Sequence, residues 1–314
     1  MQSGREHFND FLNNEPLSRP VFIPFIGDLL SRIEDESMET LTQDPSLWAN
    51  SLVKATQLFG FDGIVTGFDS NIAAMACGCD VFWENDKPVI IPMQGEFNQE
   101  PQNSPPMKLA LEVSKRSFSV CRQNITCMTS LTGPYTLAAQ LSLENANLNI
   151  NKIKQLMVQM TEACCETKPD ALIFMEGASL SLAKIETSHR RLYNTLKNIA
   201  SYYNIPIGLY VEDYQPETVS ELAKLNMDMY ILGPSLSKNL PLTSELWRLG
   251  QDTKGLGLGL PLDDIETSKA LIGKGLELYR ENPEHGLFFT SSGAAGRDID
   301  LDDLHALVSE ISNL

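Results

Sequence analysis

The chain holds no apolar run approaching the roughly 18–20 residues that cross a bilayer. Its first residues, MQSGREHFNDFLNNEP, lack the apolar core of an export signal, so a cytoplasmic protein is expected. Basic side chains are scarce. Against 41 Asp and Glu stand 24 Lys and Arg, a net charge of −17. That excess argues against a nucleic-acid partner or an anionic membrane surface, and leaves small molecules and proteins. Histidine is rarer still, with four in the chain. His7 lies in the N-terminal segment, His189 opens a helix, His285 begins the last strand and His305 sits in the last helix. Each lacks the neighbours that a histidine metal site needs. The six cysteines, Cys77, Cys79, Cys121, Cys127, Cys164 and Cys165, follow no CxxC or zinc-ribbon spacing. Without an export signal they read as reduced, buried small side chains, including the Cys77–Gly78–Cys79 pair among its small apolar neighbours.

What is present is an alternation. Short apolar runs follow one another at 20–27, 62–69, 124–134, 170–178, 205–214, 228–234, 254–261 and 286–296, with helical patterns between them. The stretch DPSLWANSLVKATQLFG (44–60), for example, reads as an amphipathic helix capped by Asp44. Such alternation predicts βαβ units and a parallel sheet. Eight strands, with no linker-like shift in composition, favour a closed (β/α)8 TIM barrel over an open sheet. The expectation is one α/β domain across residues 1–314, with an insertion after the second strand. That segment, 70–123, is rich in Pro, Asn and Gln and reads as an excursion over the barrel mouth. The run GLGLGLP alternates Gly with Leu inside a strand, which suits close packing in a narrow barrel rather than a nucleotide loop.

In such barrels chemistry sits where the βα loops meet at the strands' C-terminal ends. The polar residues there are Asp69, Asn71, Thr132, Tyr135, Glu176, Ser179, Glu212, Asp213, Tyr214, Lys238, Asp263, Asp264, Ser291, Ser292 and Arg297. Asp69, Glu176 and Glu212 are the candidate catalytic residues. Three carboxylates around one cavity repel unless a metal, a cationic substrate or a raised pKa relieves them. The plainer alternative is that some cap helices or pair with bases at the rim; Asp213, just before QPETVSELAKL, suits such an N-terminal position. Ser291 and Ser292 have no base beside them to make a nucleophile.

Four blocks resemble the uroporphyrinogen decarboxylase superfamily, which also holds corrinoid-dependent and coenzyme M methyltransferases. They are GFDGIVTGFDSNIAAMACGCDVFWENDKP, with the family's spacing from Asp69 to Gly78, then LTGPYTLAAQL, KPDALIFMEGASL and FFTSSGAAGRDIDLDDLHALV. The resemblance implies the same barrel, closer to its methyltransferase branch. The arginine-rich segment with which decarboxylases bind a polycarboxylate reads FIPFIGDLLSRIE here, their tyrosine after the TL pair is Gln140, and SGAAG replaces their last-strand GHG. The zinc methyltransferases' His-x-Cys becomes Tyr210–Val211–Glu212, and their later Cys falls at Gly293 or Ala294. A family-type zinc site is therefore not expected, since a thiol-activating zinc wants soft ligands; whether another metal binds stays unknown.

The first expectation is a methyltransferase-like barrel that takes a methyl group from a small methylated substrate and passes it to a corrinoid on a partner protein. Asp69, Glu176 and Glu212 would hold the methylated group or a metal. Asn71, Tyr135, Gln140, Tyr210, Tyr214 and Arg297 would bind substrate, Tyr135 and Tyr214 through cation–π or hydrogen-bond contacts and Arg297 through an anionic part. The alternatives are a decarboxylase-type lyase acting on a small carboxylic acid, with Lys238 and Arg297 as its basic residues, or a non-catalytic ligand-binding homologue. A homodimer is left open.

Overall fold

The computed structural model describes residues 2–67, 71–92, 95–141, 150–177, 180, 185–251, 253–281 and 286–314, leaving out the side chain of Thr218. Eight strands form one parallel sheet: β1 (Val21–Phe22), β2 (Gly63–Thr66), β5 (Thr126–Thr132), β6 (Ala171–Glu176), β7 (Ile207–Val211), β8 (Met229–Leu232), β9 (Gly255–Leu260) and β10 (Gly286–Ser291). Two further strands, β3 (Asp80–Glu84) and β4 (Lys87–Ile91), form a separate antiparallel hairpin. The sheet runs β1-β10-β9-β8-β7-β6-β5-β2, so first and last strands are neighbours and the sheet curls into the expected barrel. Barrel strands are buried along their length, apart from the partly exposed Met175 of β6, as parallel strands under helices should be.

The helices start where the sequence provides caps. Asp44 accepts from the Ser46 and Leu47 amides at 2.7 and 3.1 Å, Pro45 occupies the first turn, and the helix Pro45–Phe59 stops at Gly60 with φ +71°. The 70–123 segment is more structured than an excursion. It holds the hairpin over the mouth and then the helix Pro105–Cys121, capped by Ser104, which packs on β2 and β5 as an ordinary barrel helix. The segment 216–225 is a 3-10 helix whose N-cap position falls on Gln215, so Asp213 does not occupy it.

The barrel is plugged from below. Helix Gly4–Leu12 inserts Phe8 and Phe11 beneath an interior layer of Ile23, Phe25, Val65, Met128, Ile173, Ile231 and Phe288. The glycines of β9 and β10 make room for these rings. A Cβ on Gly286 would lie 2.4 Å from a Phe11 ring atom, and one on Gly257 would lie 2.5 Å from Phe288. Glycine here serves packing, in line with the reading of GLGLGLP.

One seam lacks a strand ladder. Between β1 and β2 the link is a backbone bond from Asp62 N to Phe22 O at 3.1 Å. The Asp62 carboxylate reinforces it, accepting from Phe22 N at 2.8 Å and from both terminal nitrogens of Arg19 at 2.8 and 2.7 Å. Asp62→Ala is therefore expected to lower stability by about 3–5 kcal/mol, because Arg19 is left half-buried without its partner. Urea unfolding checks this, and a loss below about 1 kcal/mol would mean the seam does not need the clasp.

Candidate active site

A cavity of about 590 Å3 opens at the C-terminal ends of the barrel strands. Its walls come from successive βα loops: Gly27 and Asp28 after β1, Gly67 and Asn71 after β2, Thr136 and Gln140 after β5. Glu176 closes β6, Glu212 follows β7 and Gly293 and Ala294 follow β10. The hairpin contributes Trp83, Lys87 and Pro88, and the helix Pro45–Phe59 contributes Trp48. Asp69, Ser179 and His285 lie outside the described residues.

Glu176 is 1% exposed and sits against the start of helix Pro134–Gln140. It accepts from the Tyr135 amide at 3.1 Å, the Thr136 amide at 2.9 Å and the Thr136 hydroxyl at 2.6 Å. A short bond from the Tyr193 hydroxyl completes the set. Burial raises its pKa, and the four donors pull it back toward the ionised form. A carboxylate at a helix N-terminus is favourably placed for the peptide dipoles. Gly133 is required beside it, because a Cβ there would lie 2.3 Å from the carboxyl carbon. Glu176 thus borders the cavity while its oxygens hold the wall together.

Glu212 is the contrasting acid. Its amide bonds the Glu176 carbonyl at 2.9 Å, extending the strand pairing, but its side chain has no hydrogen-bond partner among the described residues. More than a third of its surface stays open, and Gly177 leaves room for its carboxyl, since a Cβ there would lie 3.2 Å from one of its oxygens. Partial burial, then the neighbouring charge of Asp213, raise its pKa. Tyr210, two residues earlier on the same strand face, is 6% exposed and edge-on to Phe25 at 5.6 Å between centroids. Burial and Glu212 push its phenol upward, so it stays protonated.

Other candidates divide. Asn71 and Gln140 line the cavity. Tyr135 turns away from it and stacks on His189 at 4.4 Å. Tyr214 also points elsewhere, donating to the Gly233 carbonyl at 2.6 Å and the Asn239 carbonyl at 3.2 Å. For these two the expected substrate contact is corrected: each ring packs behind the wall. Arg297 borders a neighbouring, outer cavity, 3.9 Å from Asp86 on the hairpin turn. Lys238 borders neither cavity, whereas Lys87 borders both. Ser291 is structural, its hydroxyl accepting from Phe25 N at 2.8 Å and donating to Gly293 O at 2.6 Å.

Asp28 was missed, although it directly follows the first apolar run, 20–27. It stands at the N-cap of helix Leu29–Glu34 yet makes no capping bond, and it borders both cavities. Burial, then Asp86, raise its pKa, with Lys87 opposing. Trp48, Trp83 and Lys87 were missed as well, since only tertiary folding brings a helix and a hairpin to the mouth.

The donor set does not fit a soft zinc site. The two positions of the His-x-Cys pair carry a phenol and a carboxylate, and residues 293 and 294 have no ligating atom in their side chains. No cysteine borders the cavity among the described residues. All six are buried, and burial pushes the Cys77 thiol to about 12. No group of three or more His, Cys, Asp or Glu suited to a metal occurs among the described residues.

The arrangement defines a (β/α)8 barrel with an acidic, aromatic-walled mouth. The chain belongs to the uroporphyrinogen decarboxylase (URO-D) family, whose model matches residues 3–167. The chain is similar in structure to a methyltransferase from Methanosarcina mazei, at a TM-score of 0.80 and 15% identity, covering 100% of this chain and 99% of that one. A putative vitamin-B12 independent methionine synthase from Listeria monocytogenes superposes at 0.51 and 15% identity, covering 88% and 87%. At such identities these likenesses establish the fold. No curated protein matches the sequence. No helix among the described residues is long and apolar enough to cross a membrane.

Proposed function

We propose that this barrel is a methyltransferase that binds a small quaternary ammonium and gives up one of its methyl groups. The observation that carries the reading is the carboxylate of Glu212, without a hydrogen-bond partner among the described residues, in a cavity walled by Trp48, Trp83 and Tyr210. A methylated cation is held by aromatic faces and a nearby carboxylate, and it needs no hydrogen-bond donor. Glu212 supplies the charge, Tyr210 and the tryptophans supply the faces, and Glu176 fixes the wall that carries Thr136 and Gln140. In the reaction the C–N bond breaks, its electron pair stays on nitrogen as a neutral amine, and the methyl group leaves as a cation equivalent.

No thiol or imidazole borders the cavity among the described residues, so the methyl acceptor comes from outside. A reduced corrinoid carried by a partner protein would supply such a nucleophile. The lyase alternative needs bases around a leaving carboxylate, and Lys87 is the one Lys or Arg bordering the inner cavity among the described residues.

The test uses the purified protein with quaternary ammonium donors and cob(I)alamin as acceptor. Methylcobalamin, followed by its absorbance, is the expected product, with one equivalent of tertiary amine. Release of carbon dioxide from small acids without any methyl transfer would overturn the assignment.

A further inference from the structure

A second cavity adjoins the inner one. The outer cavity is also about 590 Å3, and Asp28, Lys87, Gly293 and Ala294 border both. At the waist between them residue 293 has no side chain and residue 294 only a methyl. A Cβ built on Gly293 meets a single atom within 4 Å, the Tyr210 hydroxyl oxygen at 3.9 Å. That hydroxyl belongs to a side chain 94% buried, yet it has no hydrogen-bond partner among the described residues. The oxygen itself still reaches open space, so it is free to bond a group lying beside Gly293. It is aimed at the waist.

The outer cavity has its own chemistry. Asp86, Asp263 and Asp298 join Asp28 there, against Lys87 and Arg297. Arg297 already faces Asp86, so carboxylates outnumber uncommitted bases. A carboxylate-tailed ligand would meet repulsion, whereas an amine-tailed one would be attracted.

We infer that the substrate spans both cavities: a methylated ammonium head beside Glu212, a chain through the Gly293–Ala294 waist under the Tyr210 hydroxyl, and a second, amine-bearing end in the outer cavity. The inference rests on the cation-binding reading of the inner cavity. It adds the length of the substrate and the charge of its far end. It also assigns Ala294 as the residue that sets that length, because a larger side chain there closes the passage. Gly293 is unsuited to the same experiment, since its φ of +128° would strain any other residue.

Calorimetric titration with three ligands tests it: tetramethylammonium, (3-aminopropyl)trimethylammonium and 4-(trimethylammonio)butyrate. The amine-tailed ligand is expected to bind at least ~10-fold more tightly than tetramethylammonium, and the carboxylate-tailed one no more tightly. In Ala294→Leu the ratio of the first two affinities falls toward one, and in Tyr210→Phe it falls several-fold, with thermal melts confirming that both variants fold. Equal affinities in the wild type overturn the inference, as does a carboxylate tail that matches the amine, or an advantage that survives Ala294→Leu. Failure of tetramethylammonium itself to bind, by contrast, overturns the inner cation site and everything built on it.

Discussion

Glu212→Gln is expected to lower kcat/KM for methyl transfer by roughly 30- to 300-fold while the protein folds as before. A unit charge about 4 Å from a cation contributes about 4 kcal/mol at an effective dielectric of 20, and the open side of Glu212 reduces that to about 2–3.5 kcal/mol. The fold should not suffer, because the side chain makes no hydrogen bond to a described residue. The sign of the pH dependence follows from its raised pKa. A carboxylate raised by folding is protonated to a higher pH than usual, so cation binding strengthens as pH rises through that pKa and is lost as pH falls. Its linkage to stability runs the other way. The contribution to folding is present below the ordinary carboxylate range and disappears as pH rises through the folded pKa, so the glutamine variant should melt no lower than wild type at neutral pH. Wild-type turnover in this variant, or an unchanged acid limb, would end the role given to Glu212.

Glu176→Ala is expected to cost about 3–5 kcal/mol of stability, the larger structural effect of the two acids. Four donors lose their acceptor at once: two amides of a helix start, the Thr136 hydroxyl and the Tyr193 hydroxyl. Two of them belong to the helix that presents Thr136 and Gln140 to the cavity, so activity should fall along with stability. Tyr193→Phe isolates one bond and should cost only about 1–2 kcal/mol, with the remaining three still formed. Denaturant midpoints for the two variants check the ordering. A smaller loss for Glu176→Ala than for Tyr193→Phe would show that the carboxylate is not what holds this wall.

The barrel was legible because buried parallel strands announce themselves as short apolar runs, and each βα unit repeats the pattern. The hairpin was not, although Asn85 and Asp86, both at positive φ, lie between Val81–Phe82–Trp83 and Pro88–Val89–Ile90. That is a two-residue turn signal, obscured by the Pro- and Asn-rich stretch around it. The rule that chemistry follows strand ends led to Glu212, Tyr210, Asn71 and Gln140, all of which border the cavity. It failed for Tyr135 and Tyr214, because a residue just past a strand or at a helix start can turn either way. Position along the chain does not fix that direction; packing against His189 and the Gly233 carbonyl does. Trp48, Trp83 and Lys87 carry no local signal at all, since their place at the mouth depends on how a helix and a hairpin fold over it.

The seam between β1 and β2 has a consequence for how the cavity fills. Seven of the eight neighbouring strand junctions carry ladders, and this one rests on a backbone bond and the Asp62 clasp. Local opening follows the least-bonded path. Here that path ends at the two strands whose loops carry Asp28 on one side and Asn71 on the other. The staves can part there without unzipping the remaining hoop, so a bulky guest could be admitted by breathing of the wall itself as well as through the mouth.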